Sequence, residues 1–394
     1  MGDGGTAAEA GRLVGPGPRQ VCEACVVIPA RDEAGELTAT LRALAGQVDG
    51  RGRRLDRARF EVIVLANNCR DDTAGVVRRF AAGEPGLALY VAEVEFPAAS
   101  AHVGSARSRL MDEACRRLEA IGRPRGAICS TDADTRVAPT WLASTLEEID
   151  GGADAVAGEI RTDRAGRAAM GGPARRGYFA NLVHRRLVVE LEARLDPNPV
   201  DPWPRHDFHG GASLAITPEV YRRAGGMPPL PSLEDVALVR ALWRLDARLR
   251  HSHRARVTTS TRRLGRAEGG MARAFEAWAD PSRPQTAAPT ALIEAGLVAR
   301  RRLRRLWAEA RRRGRLGPTP RVAPELAAAI ESAPTFGRLL EEVAGRWPGP
   351  AAAPVPIEQA IATLRDRLAV LRRRARPPEQ VDPVPLLAPA IEVD

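Results

Sequence analysis

Two aspartates one residue apart, Asp132 and Asp134 in "STDADT" (130–135), are the feature of this sequence best suited to chemistry. They follow "GAICS" (126–130), a short apolar run that reads as a buried strand about to end. Carboxylates leaving a strand together repel each other, and a cation or a set of donors is the usual remedy. Asp-x-Asp is also ordinary turn chemistry, because Asp bonds its own backbone and caps helices. Two further polar clusters follow apolar runs: "ARDE" (30–33) after "CVVIPA", and "NNCRDDT" (67–73) after "FEVIVLAN".

These residues need elements that bring them together. Strand signals lie at 25–30, 60–67, 87–94, 126–130 and 153–160; helix signals lie at 35–47, 71–82, 106–120 and 138–150, the last with Pro139 in its first turn. Short buried strands alternating with helices predict a parallel sheet in an α/β layer fold, and such sheets bind ligands at the carboxyl ends of their strands. That rule places Arg31, Asp32, Asn67, Asn68, Asp71, Asp132 and Asp134 on one rim. No G-x-G-x-x-G follows the first strand, and neither a P-loop nor a G-x-S-x-G elbow occurs.

The bulk numbers narrow the class. The chain has 394 residues and formal net charge +10; all 59 of its basic residues are arginine, a bias expected of a GC-rich bacterial genome. Arginine spread over the whole chain, with aromatics at 4%, argues against nucleic acid. Cys22 and Cys25 form a C-x-x-C without a second pair at zinc spacing, and read as small strand residues. An odd cysteine count and no signal-peptide pattern predict a cytoplasmic protein, and no apolar run is long enough to span a membrane. Residues 1–20 read as a disordered arm, 21–280 as the main domain, 281–376 as a helical appendage joined by a Pro-bearing linker near 280–289, and 377–394 as a Pro-rich tail. The appendage opens with a basic helix carrying nine arginines between Arg300 and Arg315. That helix reads as a solvated face or, alternatively, as a peripheral contact with the inner face of a membrane.

Six motifs in order carry a resemblance: "VVIPARDE", "NNCRDDT", "ARSRLMDEA", "STDADT..P.W", "FHGGASLAITPEVYRRAGGM" and "LEDVAL". Over about residues 21–270 the chain resembles the family 2 glycosyltransferases, which have the GT-A nucleotide-diphospho-sugar transferase fold, a Rossmann-like mixed and mostly parallel sheet. The resemblance implies an inverting, metal-dependent transfer of a sugar from a UDP- or GDP-linked donor to a hydroxyl acceptor that is a saccharide, lipid-linked or a small molecule. It places Asp134 on a divalent cation, Mg2+ or Mn2+, and Asp132 near both the cation and the sugar. Pro29, Ala30, Arg31, Glu33, Asn67, Asn68, Asp71, Arg107, Ala133 and Arg262 would surround the donor. His209, Gly210 and Gly211 would lie on the acceptor or sugar side. Asp235 would be the general base, with Glu234 beside it; the same pair also reads as an acidic first turn that complements a helix dipole. His251 or His253 is a further candidate metal ligand. A sugar-phosphate nucleotidyltransferase of similar fold and an inactive nucleotide-sugar-binding module are the alternatives, and oligomeric state is left open.

Overall fold

The computed structural model describes residues 12–260, 278, 280, 283–316, 322–346 and 352–374. The first half of the described chain alternates strand and helix as its periodicity requires: β1 (Ala24–Ala30), α1 (Ala34–Ala45), β2 (Phe60–Asn67), α2 (Thr73–Gly83), β3 (Ala88–Val94), α3 (Val103–Ala120) and β4 (Ala127–Ser130). Then come β5 (Thr135–Val137), α4 (Trp141–Asp150), β6 (Ala155–Thr162), α5 (Arg164–Ala168) and α6 (Gly172–Leu195). Helix α4 starts later than expected, so Pro139 precedes its N-cap, Thr140. Next are β7 (Leu214–Ile216), α7 (Pro218–Arg223), α8 (Glu234–Arg244) and β8 (Leu249–Thr259).

The main sheet runs β3-β2-β1-β4-β7-β6-β8-β5. β1 pairs in parallel with β2 and β4, β2 with β3, and β6 with β8; β7 and β5 join antiparallel. The α/β expectation therefore holds, with a mixed sheet. Strand β1 shows how the sequence builds the core on both faces. Ala24, Val26 and Ile28 meet Leu37, Leu41, Leu44 and Trp141 on one side. Cys25 and Val27 meet Leu110, Met111, Tyr221 and Leu242 on the other, as the two-residue period of a strand dictates. Burial pushes the Cys22 thiol up to about 12 and raises Cys25 as well, which argues against a redox pair; Cys25 lies in β1 as expected, whereas Cys22 precedes the strand by two residues. Val14 is 8% exposed in the same cluster, so the arm expected over 1–20 is anchored in the core at its described end.

The C-terminal helices are α9 (Thr290–Arg313), α10 (Pro324–Ser332), α11 (Phe336–Arg346) and α12 (Ile357–Arg374). They pack on the main domain. Leu297 of α9 and Leu364 and Leu368 of α12 share a core with Leu191 of α6. The expected linker near 280–289 is partly built in. β9 (Thr286–Ala287) pairs with β10 (Val355–Pro356), and Asn181 donates to the Gln285 side chain at 2.7 Å. Several arginines of the basic helix also face protein: Arg300 and Arg304 pair with Asp196, and Arg311 donates to the Ala333 carbonyl. Among the described residues no helix is long and apolar enough to cross a membrane. The tail from 377 onward lies outside the described residues.

Candidate functional site

The neighbouring strands β2, β1 and β4 end at one rim, as expected. Asp32 and Asn68, just past β1 and β2, both have positive φ (52° and 50°), a region that Asp and Asn tolerate better than other side-chain-bearing residues. The two loops are stapled together: Asp32 accepts from Arg70 N at 2.6 Å, and Asp71 accepts from Ala34 N and Thr73 N, each at 3.0 Å. Asp71 thus serves both helix starts. Asp32, Cys69 and Asp71 bring three ligand-type atoms within 4.8 Å, but the two carboxylates are engaged by these backbone N–H groups. Asn68 spends its amide on Glu95 and on both backbone groups of Phe96. Asn67 is buried at the end of β2 and Pro29 and Ala30 at the end of β1; Glu33 N bonds Thr73 and Arg31 reaches the Ala101 carbonyl at 2.8 Å.

Arg107 is the centre of the site. It is 4% exposed, and its guanidinium bridges Asp132, at 2.5 Å, and Glu234. Burial works against this charge, and Asp132, Glu234 and Asp235 outweigh it. Burial pushes the Asp132 carboxyl above its ordinary value, Arg107 pulls it back, and Asp134 adds to the rise. Burial likewise raises Glu234, again opposed by Arg107. Gly211 lies so close to the guanidinium that an added Cβ would sit 2.5 Å from its central carbon. A Cβ on Gly210 would stand 3.0 Å from Ile160 Cδ1 and 3.6 Å from Asp235 Oδ2.

Asp235 is half-buried and accepts from Gly211 N at 2.8 Å and Val236 N at 2.7 Å. Residue 233, the N-cap of α8, is a leucine at φ 59° and 59% exposed, an uncommon conformation for a bulky side chain. Asp134 is half-buried and accepts from the Ser260 hydroxyl at 2.8 Å, beside the β5–β8 pair. Ala133 is buried, its carbonyl held by Thr40.

The structure separates His251 and His253 from Asp134. His251 lies opposite Ala157 and Thr259 opposite Thr162, so His251 sits roughly 17 Å along the strand from the Asp134 end, and His253, facing Glu159 across the bulge, roughly 10 Å. His251 is instead held by Asp201 at 2.7 Å and His253 faces Glu159 at 3.4 Å. A histidine cluster that motif reading missed results: His206 stands 5.6 Å from His251 and 5.1 Å from His253 between ring centres, and His209 stands 6.1 Å from His251. Arg262 lies outside the described residues.

The sequence model described as Glycosyl transferase family 2 matches residues 25–211, just under half of the chain. No curated protein matches it. Similar solved structures include residues 1–349 of TarS from S. aureus in complex with UDP, 17% identical with TM-score 0.43, covering 61% of this chain and 61% of that one. The mannosyltransferase PcManGT from Pyrobaculum calidifontis, in complex with GDP-Man and Mn2+, is 17% identical with TM-score 0.41, covering 92% of this chain and 87% of that one. The chain thus spans 61% of the length of the TarS fragment.

Proposed function

We infer that this chain, whose residues 25–211 are a glycosyl transferase family 2 domain, transfers a sugar from a nucleoside-diphosphate donor to a hydroxyl group with inversion at the anomeric carbon. The observation that carries the reading is the Asp132–Arg107–Glu234 bridge, which ties the Asp-x-Asp loop to the start of the helix bearing Asp235.

The residues divide the work by what is already engaged. Glu234 is buried and paired, so it holds Arg107 and is not the base. Asp235 is half-exposed, and a carboxylate with two N–H bonds still has lone pairs for a hydroxyl proton. It is therefore the base that takes the acceptor's proton as that oxygen attacks the sugar. Asp134, with Asp132 beside it, offers hard oxygen ligands at a strand end, a donor set that suits Mg2+ or Mn2+ with phosphate oxygens and water completing the shell. Such a cation, when bound, offsets the negative charge that develops on the leaving nucleoside diphosphate. Ala30, Arg31, Glu33 and Asn67 form the donor rim. The acceptor class is a saccharide, a lipid-linked sugar or a small hydroxyl compound; the exposed Arg302, Arg305 and Arg312 of α9 are where an anionic membrane would touch.

A screen of UDP- and GDP-sugars for nucleoside diphosphate release, paired with calorimetric titration of UDP and GDP with and without Mn2+, tests this. Asp134→Asn should lose Mn2+-dependent nucleotide binding. Asp235→Asn should keep binding and lose about 10²-fold or more in transfer. No nucleotide binding in the wild type, or a product that retains the donor's anomeric configuration, sinks the reading.

A further inference from the structure

We propose that the C-terminal helices brace the acceptor side of the site, and that Asp246 and Arg300, remote from any substrate, are positioning residues for Asp235. The proposal rests on the reading of Asp235 as the base. Two separate docking points support it.

The first grips helix α8 at the end away from Asp235. Asp246, at φ 51°, accepts from Phe336 N at 2.7 Å and Gly337 N at 2.8 Å, the first amides of α11. In return the Thr335 hydroxyl donates to the Arg244 carbonyl at 2.6 Å, at the end of α8. Each helix thus satisfies terminal groups that the other leaves without an intrahelical partner. The fit is close: a Cβ on Gly337 would stand 1.8 Å from the Trp243 carbonyl oxygen. Arg244 and Glu341 add a paired contact. Asp246 lies two residues past the end of α8, and the helix from Asp235 to Arg244 spans about 14 Å.

The second grips the segment that leads to Gly211. Asp196, whose side chain is 1% exposed, closes α6 and accepts from Arg300 and Arg304 of α9. Glu192 is shared between Arg300 and Arg205. Asp201, in the same segment, accepts from His251 N, His251 Nδ1 and Arg250 at 2.7–2.9 Å. This segment ends at Gly211, whose N–H holds Asp235. The carboxylate of the base is therefore set by a helix and a loop; the C-terminal unit holds the helix at its far end and the loop at its root on α6. A displacement of about 1 Å at such a group is enough to cost rate.

The test uses the full chain with Asp246→Ala, Asp246→Asn and Gly337→Ala. Read-outs are kcat and KM for the donor found by the screen, UDP and GDP affinity by calorimetry, and hydrogen exchange of the α8 amides. Asp246→Ala and Gly337→Ala should lower kcat by about tenfold, leave nucleotide affinity within about twofold, and speed exchange in the first turn of α8. Asp246→Asn, which keeps one of the two acceptor oxygens, should lose less than Asp246→Ala. The proposal is overturned if kcat stays at the wild-type level in Asp246→Ala and Gly337→Ala, or if kcat and nucleotide affinity fall together with the folded fraction. If the wild type turns over no nucleotide sugar, the base reading fails instead, and unchanged α8 exchange would then also remove the brace.

Discussion

Arg107 stands where its helix would otherwise carry an apolar side chain. Leu110, Met111 and Ala114 follow it at three, four and seven residues and are all buried. An arginine heading such a stripe must be paired, and that was the signal in the sequence for a buried ion bridge; which carboxylates meet it, Asp132 in a loop and Glu234 at the start of α8, had no local signature. Breaking such a bridge leaves buried carboxylates unpaired. Gly211→Ala, which drives a methyl into the guanidinium, should therefore cost about 3 kcal/mol in a denaturant titration; a loss near zero would show that Arg107 can move aside. His206 gives a second residue-scale expectation. Burial, with His251 and His253 beside it, depresses it to about 3. The unfolded chain takes up this proton near pH 6.5 and the folded chain does not, so stability is lost as pH falls from 6.5 toward 3. Between pH 7 and pH 5 the loss from this group is about 2 kcal/mol. His206→Gln should remove that part of the slope, and an unaltered pH profile in the variant would discount it.

At the scale of elements, α8 begins from a strained residue. Leu233 holds a left-handed conformation that costs a side chain with a Cβ about 1–2 kcal/mol, and it is exposed, so little packing is at stake. Leu233→Asn should raise the thermal midpoint by the equivalent of about 1 kcal/mol; a lower midpoint would mean that the leucine contributes contacts that outweigh the strain. The longer elements were legible because their patterns are strong: β2 spans 60–67 as its apolar run predicts, and α2 starts only two residues after the expected 71. β5 and β7 were not, since three residues such as "TRV" or "LAI" carry no readable period and are strands only through the pairing of β5 with β8 and of β7 with β4 and β6. Site residues at strand ends were legible for the same reason. The place of His251 was not legible, because spacing along β8 says nothing about which end of the strand faces the rim.

At the scale of the whole molecule, α6 touches both the main sheet and the C-terminal helices. Its N-terminal half places Tyr178 beside Thr162 of β6, and its C-terminal half places Leu191 against α9 and α12. The C-terminal helices should therefore melt with the main domain in a single calorimetric transition. Leu191→Ala should lower that transition as a whole, by the equivalent of about 2–5 kcal/mol. Two transitions, with only one moved, would restore the independent appendage that Pro-rich breaks suggested. The Arg300 brace, the Arg244–Glu341 contact beside the other brace, the Arg107 bridge and the Glu61–Arg117 pair between β2 and α3 all use guanidinium groups, in a chain that has no lysine. In terms of reagents, this makes the molecule selectively blind. Acylating agents aimed at ε-amines will find no side chain to modify and will leave every brace closed, whereas a dicarbonyl that condenses with guanidinium can open the half-exposed clasps of the C-terminal helices before it reaches the enclosed Arg107.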